Sequence, residues 1–341
     1  MEIAVTPRCE VWVVDSGNAA IYRWTCAGRE IGTSGRKGNG PGEFQAPWTI
    51  AELPGDTIGI WDRPLQRLSF FASDGRFLRS ERLGLTSGQH GFVRAVWRAG
   101  GRTFAHTVRY PTDEPRPDEN QSYVWELQPD GNVGRALLRM PGPETIIDRG
   151  PEASARIDAP FRRVPVVLGS PDGTVLVGNS GSSEFRRYRA GPRMVPDGVL
   201  RLSIPAVSVT RRDRRAWLDS MRTRLAEDRE RGGLAPAARA EFEARHERLL
   251  DRVRFPETHP LYQLVIRDER GNLWLQLTPA RPGVPVRWQV HDGRTGARVR
   301  TIELTTSNKV LVAAARGGAL YTVELDADGV AQVVGYAPRR R

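Results

Sequence analysis

Short hydrophobic segments alternate with polar turns along most of the chain, and their order repeats. The clearest unit contains two glycine turns, Pro54-Gly55-Asp56 and Ser73-Asp74-Gly75. Its four strands are predicted at 48–53, 57–62, 66–71 and 76–80. Runs rich in β-branched and aromatic residues, bounded by Gly, Pro, Asn or Asp, are typical of β-strands. Similar units surround Gly173 and Gly271, so the pattern indicates an all-β repeat protein.

The turn before the second strand of each unit recurs at a regular spacing. These turns are predicted at Cys9, Gly55, Gly101, Gly173, Gly271 and Gly318, which gives intervals of 46, 46, 72, 98 and 47 residues. Four short strands in a repeat of about 40 to 50 residues are typical of a β-propeller blade. We therefore predict a single domain, residues 1–341, that folds as a six-bladed β-propeller.

The two long intervals contain inserted segments. Residues 110–121 and 141–160 lengthen the interval before Gly173, and residues 211–254 lengthen the next one. In the latter segment Trp217, Met221 and Leu225 recur every four residues, which is the spacing of a helix face. We predict an α-helical hairpin over 211–254, between blades four and five, with Pro236 in the first turn of its second helix. Its expected role is packing against one propeller face; a partner-binding or gating lid is the alternative.

Two segments resemble a known repeat family. Residues 11–24, with Asp15-Ser-Gly-Asn18 between two strands, look like an NHL repeat. Residues 35–47, Gly35-Arg-Lys-Gly-Asn-Gly-Pro-Gly-Glu-Phe-Gln-Ala-Pro47, are similar to the linkers between such repeats. The resemblance is strong over residues 10–83 and fair over 259–304, and it implies a bacterial six-bladed propeller. Because this architecture carries many unrelated activities, the resemblance implies no particular ligand.

The two cysteines flank the first predicted hairpin. If Asp15 faces Ala20 across the turn, Cys9 faces Cys26, and opposed strand positions can accommodate a disulfide. A disulfide and two unrelated thiols are both consistent with this pattern. A disulfide would imply an oxidising compartment.

The two ends of the chain leave localisation open. The first ten residues have neither the basic nor the apolar region of a signal peptide. We expect an exported or periplasmic protein if the natural start lies upstream, and a cytoplasmic protein otherwise. The last blade shows three strands, at 309–314, 319–325 and 331–336. We expect either an upstream strand to complete this blade or the ring to close with three strands.

The net charge of +11 comes from arginine, because only two of the 51 basic residues are lysine. The densest region, 211–254, contains thirteen arginines mixed with nine acidic residues. Such mixing is typical of a solvated helix surface, so nucleic-acid binding is not favoured. No stretch approaches the roughly 20 apolar residues needed to span a bilayer, and we expect a monomer.

Candidate chemistry is sparse. Metal-binding His and Cys motifs are absent from the sequence. Of the five histidines, only His90 and His259 precede the first strand of a blade, which is where amidating-lyase propellers hold zinc. We expect both to be turn or surface residues. Asp15 and Asp62 are candidates for a lactonase-type calcium site, but their position in turns favours hydrogen bonds to their own backbone. We predict no catalytic, cofactor-binding or metal-binding residues and no cofactor.

The sequence favours a non-enzymatic binding scaffold that recognises a protein, peptide or glycan through its loops or axial face. The alternative is a metal-dependent hydrolase or lyase, similar to lactonase or amidating-lyase propellers, with its site in the central channel. A second alternative is RNA binding on a basic face.

Overall fold

A computed structural model of the 341-residue chain describes residues 1–53, 55–110, 120–149, 154–231, 236–279, 284–304, 306 and 308–337. Within these residues the chain forms six antiparallel sheets in sequence order, each a propeller blade, and one separate two-stranded hairpin. The predicted six-bladed propeller is confirmed. No helix in the described part of the chain is long and apolar enough to cross a membrane.

Each of the first three blades has four strands that pair in the order of the chain. Blade one consists of β1 (Glu2–Val5), β2 (Glu10–Asp15), β3 (Ala20–Thr25) and β4 (Glu30–Ser34). Blade two consists of β5 (Pro47–Leu53), β6 (Thr57–Asp62), β7 (Arg67–Ala72) and β8 (Phe77–Arg82). The short helix α1 (Ser87–His90) precedes blade three, which consists of β9 (Phe92–Ala99), β10 (Arg102–Arg109), β11 (Gln121–Leu127) and β12 (Val133–Pro141).

The separate hairpin, β13 (Thr145–Arg149) and β14 (Ser154–Asp158), follows blade three. Blade four consists of β15 (Pro165–Gly169), β16 (Thr174–Asn179), β17 (Glu184–Arg189) and β18 (Val195–Arg201). Two helices, α2 (Arg211–Arg231) and α3 (Pro236–Asp251), separate it from blade five: β19 (Tyr262–Arg267), β20 (Leu273–Leu277), β21 (Val286–His291) and β22 (Arg298–Leu304). Blade six has three strands in the described residues, β23 (Lys309–Arg316), β24 (Ala319–Leu325) and β25 (Ala331–Tyr336).

The six turns predicted from the repeat all lie between the first and second strands of a blade. The six residues that mark these turns, Cys9 and the five glycines, all have a left-handed backbone, with φ between 60° and 84°. Five of the six are glycine, which adopts this conformation without a steric penalty. The exception is Cys9, with φ of 60°. As predicted, Cys9 faces Cys26 across the first hairpin, and the two form a disulfide with a Cα–Cα distance of 5.3 Å.

The hydrophobic core runs around the ring as six clusters of buried side chains, each between two neighbouring blades. The ring closes where Ile3 and Val5 of blade one pack against Tyr321 and Val323 of blade six. The side chain of Arg316 adds a hydrogen bond to the carbonyl oxygen of Val5. Blade six therefore closes the ring through side-chain packing against blade one.

The predicted helical hairpin is present between blades four and five, with Pro236 as the first residue of α3. The segment 141–160 also forms the hairpin β13–β14, which the sequence pattern did not predict. The two inserts pack together in a seventh cluster around Leu249, Leu250 and Ile157. Both inserts belong to connections between consecutive blades. These connections run on one side of the ring because each blade begins and ends there, and we call this the insert side.

Candidate functional site

The first strands of the blades surround the propeller axis. Strand β1 contacts both β5 and β23, and β5 contacts β9. Together with β15 and β19 these strands enclose an open central cavity of about 640 Å³. Small and aliphatic residues make up most of its wall: Ile3, Ala4, Ile50, Ala51, Ala95, Val96, Val167, Leu168, Val265, Ile266, Ala313, Ala314 and Ala315. Cavities of this size and polarity are typical of small-ligand sites.

Charged groups line the end of the cavity that lies opposite the insert side, but their contacts are structural. The Asp268 carboxylate accepts hydrogen bonds from the backbone and side chain of Asn272 and from the indole N–H of Trp274. Asp172 accepts the backbone N–H of Thr174 at 2.8 Å. These carboxylates hold the turns between first and second strands, as aspartate commonly does.

Arg267 is the exception at this end of the cavity. Its guanidinium lies 3.6 Å from the Asp172 carboxylate, yet its Nη1 is buried without a hydrogen-bond partner. Burial lowers the pKa of Arg267, and the negative charges of Asp172 and Asp268 oppose that shift. One donor of this side chain is therefore available to a group inside the cavity.

Glu2 lies near the other end of the cavity, at the start of β1 on the insert side. Its carboxyl group makes no hydrogen bond or ion pair with any described residue. Burial raises the pKa of Glu2 to about 7, although the positive charges of Arg94 and of the Met1 amino group oppose the rise. Glu2 is thus a half-buried residue whose carboxyl group has positive charges nearby but no hydrogen bond or ion pair to a described residue.

Arg94 lies near the insert-side end of β9, where the pairing of that strand is irregular. Along the β9–β10 ladder His106 pairs with Ala95 and Thr107 pairs with Val93, so Arg94 is skipped. Such bulges turn a side chain out of its regular direction and are common beside functional sites. Arg94 is exposed although it lies on an axis-lining strand next to the buried Val93. The bulge therefore leaves the Arg94 side chain exposed beside the buried Val93.

His106 lies on β10, opposite the bulge of β9 that contains Arg94, and its side chain is part of the core. It is 5% exposed, and its Nε2 lies 2.6 Å from the Ser122 hydroxyl. Burial, together with the positive charge of Arg94, lowers the pKa of His106 to about 3. The imidazole is therefore neutral at physiological pH and adds no charge to the channel.

Trp97 contributes an aromatic surface to the wall. Its ring stacks on Phe104 with centroids 5.6 Å apart, and its indole N–H is buried without a partner. The backbone of Gly169 lies directly against this ring, because a Cβ built at Gly169 would be 2.2 Å from Trp97 Cδ2. Glycine at this position lets blade four approach the tryptophan of blade three.

The histidines that the sequence singled out lie on the insert side, before β9 and β19 as predicted. The ring of His90 packs edge-on against Trp125, and its Nδ1 accepts the backbone N–H of Thr86. His259 lies 3.4 Å from the Asp213 carboxylate at the start of α2. Each therefore has a local packing role, and among the described residues no three His, Cys, Asp or Glu side chains form a group that could hold a metal ion.

The two aspartates considered for a calcium site both accept hydrogen bonds from backbone N–H groups of their own turns, which is the interpretation that the sequence favoured. Asp15 accepts hydrogen bonds from the backbone N–H groups of Gly17 and Asn18. Asp62 is fully buried and accepts the backbone N–H groups of Gln45 and Ala46 in the linker before blade two. Both oxygens of Asp62 thus accept backbone N–H groups, whereas the second oxygen of Asp15 accepts the side-chain amide of Asn18.

The sequence pattern did not single out Glu2, Arg94, Trp97 or Arg267. Each lies on or next to a first strand, and each would count as an ordinary strand residue in a single sequence. The signal that distinguishes them is spatial, because strands from several blades meet only at the axis. The bulge at Arg94 depends on pairing with β10 and leaves no mark in the residue pattern.

Comparison with known proteins supports the fold and leaves the ligand open. No protein-family model matches the chain, and no curated protein matches it. A solved structure from Bacteroides fragilis is similar, with a TM-score of 0.50 and 14% identity over 95% of this chain and 79% of that one. A luciferin-regenerating enzyme has a TM-score of 0.49 and 12% identity over 98% of this chain and 89% of its own. Regucalcin, a calcium-binding protein from Agrobacterium tumefaciens, has a TM-score of 0.47 and 12% identity, with the same coverage. At 14% identity the likeness to the Bacteroides fragilis structure concerns the fold alone and carries no conclusion about activity.

Proposed function

We propose that this propeller is a non-enzymatic binding protein whose ligand enters the central channel from the insert side and contacts the surrounding loops. The proposed ligand is a protein, peptide or glycan. The observation that carries the proposal is the composition of the channel wall. About half of its lining residues are small or aliphatic, and the carboxylates of Asp172 and Asp268 at its far end hold the turns.

A channel-filling substitution tests this proposal. Ala95 lines the cavity and belongs to none of the blade-interface clusters, so Ala95→Phe narrows the channel while the packing between blades is retained. Ala216 on the exposed surface of α2 provides the matched control, Ala216→Phe. We expect small aliphatic and aromatic fragments, observed by saturation-transfer NMR, to bind the natural protein and the control but not Ala95→Phe. Equal binding to all three proteins, or to none, would refute the proposal.

The metal-dependent hydrolase or lyase is the competing enzyme hypothesis. A ligand that binds the folded state raises the unfolding temperature, so a resident Ca²⁺ or Zn²⁺ ion would stabilise the protein measurably. The proposal predicts the same unfolding temperature with EDTA, with Ca²⁺ and with Zn²⁺. A saturable rise with either ion would favour the enzyme hypothesis instead.

RNA binding is a second candidate, favoured by one observation on α2. Arg211, Arg212, Arg215 and Arg222 are exposed, and no ion pair joins them to a described residue. Binding through such a surface would weaken steeply with salt, because counterions are released from the phosphates. An RNA affinity that is absent, or unchanged between low and physiological salt, would exclude this candidate.

A further inference from the structure

The outer edge of blade six is open. Blades one to five each have four strands, whereas blade six has three in the described residues, so β25 lies at its outer edge and pairs only with β24 there. Ala331, Val333 and Gly335 of this strand are exposed. A strand in this position presents N–H and C=O groups that can pair with a strand of another chain.

The pairing of β24 with β25 identifies which backbone groups point outward. At the turn between the two strands the N–H of Asp326 donates to the carbonyl oxygen of Val330 at 3.1 Å, so these residues belong to a hydrogen-bonded pair. Hydrogen-bonded and non-hydrogen-bonded pairs alternate along an antiparallel ladder. Every second residue after Val330 therefore directs its backbone groups to β24, and the intervening residues, Ala331, Val333 and Gly335, direct theirs outward.

Strand β25 differs from the outer strands of the other blades because it contains no charged residue. Proteins commonly protect exposed strand edges with charges, which disfavour pairing with another chain. Each of the five fourth strands contains at least one charged residue, respectively Glu30, Arg79, Arg135, Asp197 and Arg298. The sequence of β25, Ala-Gln-Val-Val-Gly-Tyr, has neither a charge nor a proline. This edge therefore lacks the usual protection against pairing.

A second copy of β25 fits the edge in one antiparallel register. The three outward-directed residues are placed symmetrically about Val333, so when Val333 lies opposite Val333 of the second copy, Ala331 lies opposite Gly335. Each of these pairs then exchanges two backbone hydrogen bonds, and none of their outward groups is left without a partner. Because both copies use the same surface, the arrangement is a closed two-fold dimer.

The segments that flank β25 in the sequence carry opposite charges. Asp326 and Asp328 precede the strand, and the three arginines at 339–341, which lie outside the described residues, follow it. Antiparallel pairing places the start of each strand beside the end of the other, so unlike charges approach at both ends of the pair. In a parallel pair like charges would meet instead, and charge complementarity therefore favours the antiparallel dimer.

We propose that this chain forms a two-fold dimer in which the β25 strands of two copies pair about Val333 and cover each other's edge. This proposal differs from the monomer expected from the sequence, which does not show which backbone groups of the edge point outward. The interface lies on the outer edge of a blade and leaves the channel open, so the proposal is independent of the proposed function.

Charge substitutions at Val333 test this register. In sedimentation equilibrium over a wide range of concentration, the natural chain is expected to reach the mass of two chains. Val333→Lys and Val333→Glu each place like charges opposite each other at the centre of the pair, so each variant alone is expected to be monomeric where the natural chain is dimeric. An equimolar mixture of the two variants is expected to form the dimer again, because Lys and Glu then lie opposite each other.

Val299 supplies the matched control, since it is a 59% exposed valine on β22, the outer strand of blade five. Val299→Lys should dimerise like the natural chain. A natural chain that is monomeric at every concentration would overturn the proposal, and so would a dimer that survives both Val333 substitutions. A mixture of the two variants that stays monomeric would show that the register is wrong. Circular dichroism checks the fold of each variant, which should be retained because the Val333 side chain is exposed and its backbone groups point away from β24.

Discussion

Cys9 occupies a position that glycine holds in the other five blades, and this allows the disulfide and the backbone strain to be measured separately. Its φ of 60° lies in the left-handed region, where a side chain is disfavoured. Two double variants remove the disulfide: Cys9→Ala with Cys26→Ser, and Cys9→Gly with Cys26→Ser. The first retains a Cβ at the left-handed position, and the second removes it.

The expected magnitudes follow from the loop and the backbone. The disulfide joins residues 17 apart, and closing a loop of about that length stabilises a protein by about 3 kcal/mol. A left-handed residue with a Cβ costs roughly 1–2 kcal/mol. The Cys9→Gly substitution removes this strain, but it lowers the free energy of unfolding by about 0.5–1 kcal/mol because glycine has greater freedom in the unfolded chain. We therefore expect the alanine variant to lose about 3 kcal/mol and the glycine variant about 2–2.5 kcal/mol.

Equilibrium unfolding in urea, followed by tryptophan fluorescence, measures both values. The natural protein treated with dithiothreitol should approach the alanine variant, since both retain the strained backbone without the disulfide. If reduction leaves the unfolding midpoint unchanged, the disulfide does not stabilise the fold. If the glycine variant is no more stable than the alanine variant, the positional equivalence of Cys9 and the five glycines is wrong.

Three further predictions concern the channel and the inserts. Glu2→Gln should stabilise the protein by up to about 3 kcal/mol at pH 8 and by little below pH 4.5. The folded pKa of about 7 lies above the ordinary value of Glu, so the natural protein loses stability as the pH rises from 4.5 to 7 and Glu2 ionises. Urea unfolding of both proteins at the two pH values checks this. Gly169→Ala should cost about 1–3 kcal/mol because its Cβ would overlap Trp97, whereas Gly88→Ala, with no atom within 4 Å of the new Cβ, should be neutral. Asp148→Asn weakens contacts of 3.3 Å to Arg248 in α3 and 2.9 Å to Arg252, the residue after α3. Amide exchange should therefore accelerate in α3 and β13 while the blades are unaffected.

The sequence shows how many charges the protein carries, and the structure shows which of them form pairs. Composition shows an arginine excess, and the structure distributes many of these side chains into ion pairs on blade surfaces, such as Arg201 with Glu184 and Arg287 with Glu303. Such exposed pairs contribute little to stability. Glu2 differs from these pairs, because it lines the central cavity and its carboxyl group forms no ion pair with a described residue.

The sequence by itself determined the number of blades and the position of the helical hairpin, and it placed Cys9 opposite Cys26 while leaving open whether the two are bonded. These features depend on turns and strand periodicity, which act between residues close in the chain, so a local pattern is sufficient to predict them. The same locality explains why Gly55 and Gly173 could be recognised as equivalent turns without any knowledge of the ring.

Only the tertiary structure decided what the channel contains and how the inserts lie. The segment 141–160 forms β13–β14 and packs against α3, because each insert buries its hydrophobic side chains on the other. Glu2, Trp97 and Arg267 come from three different blades and meet only because the ring closes around its axis. Their burial, and hence the unsatisfied groups that suggest a ligand, arises from the packing of strands distant in sequence, which no single segment encodes.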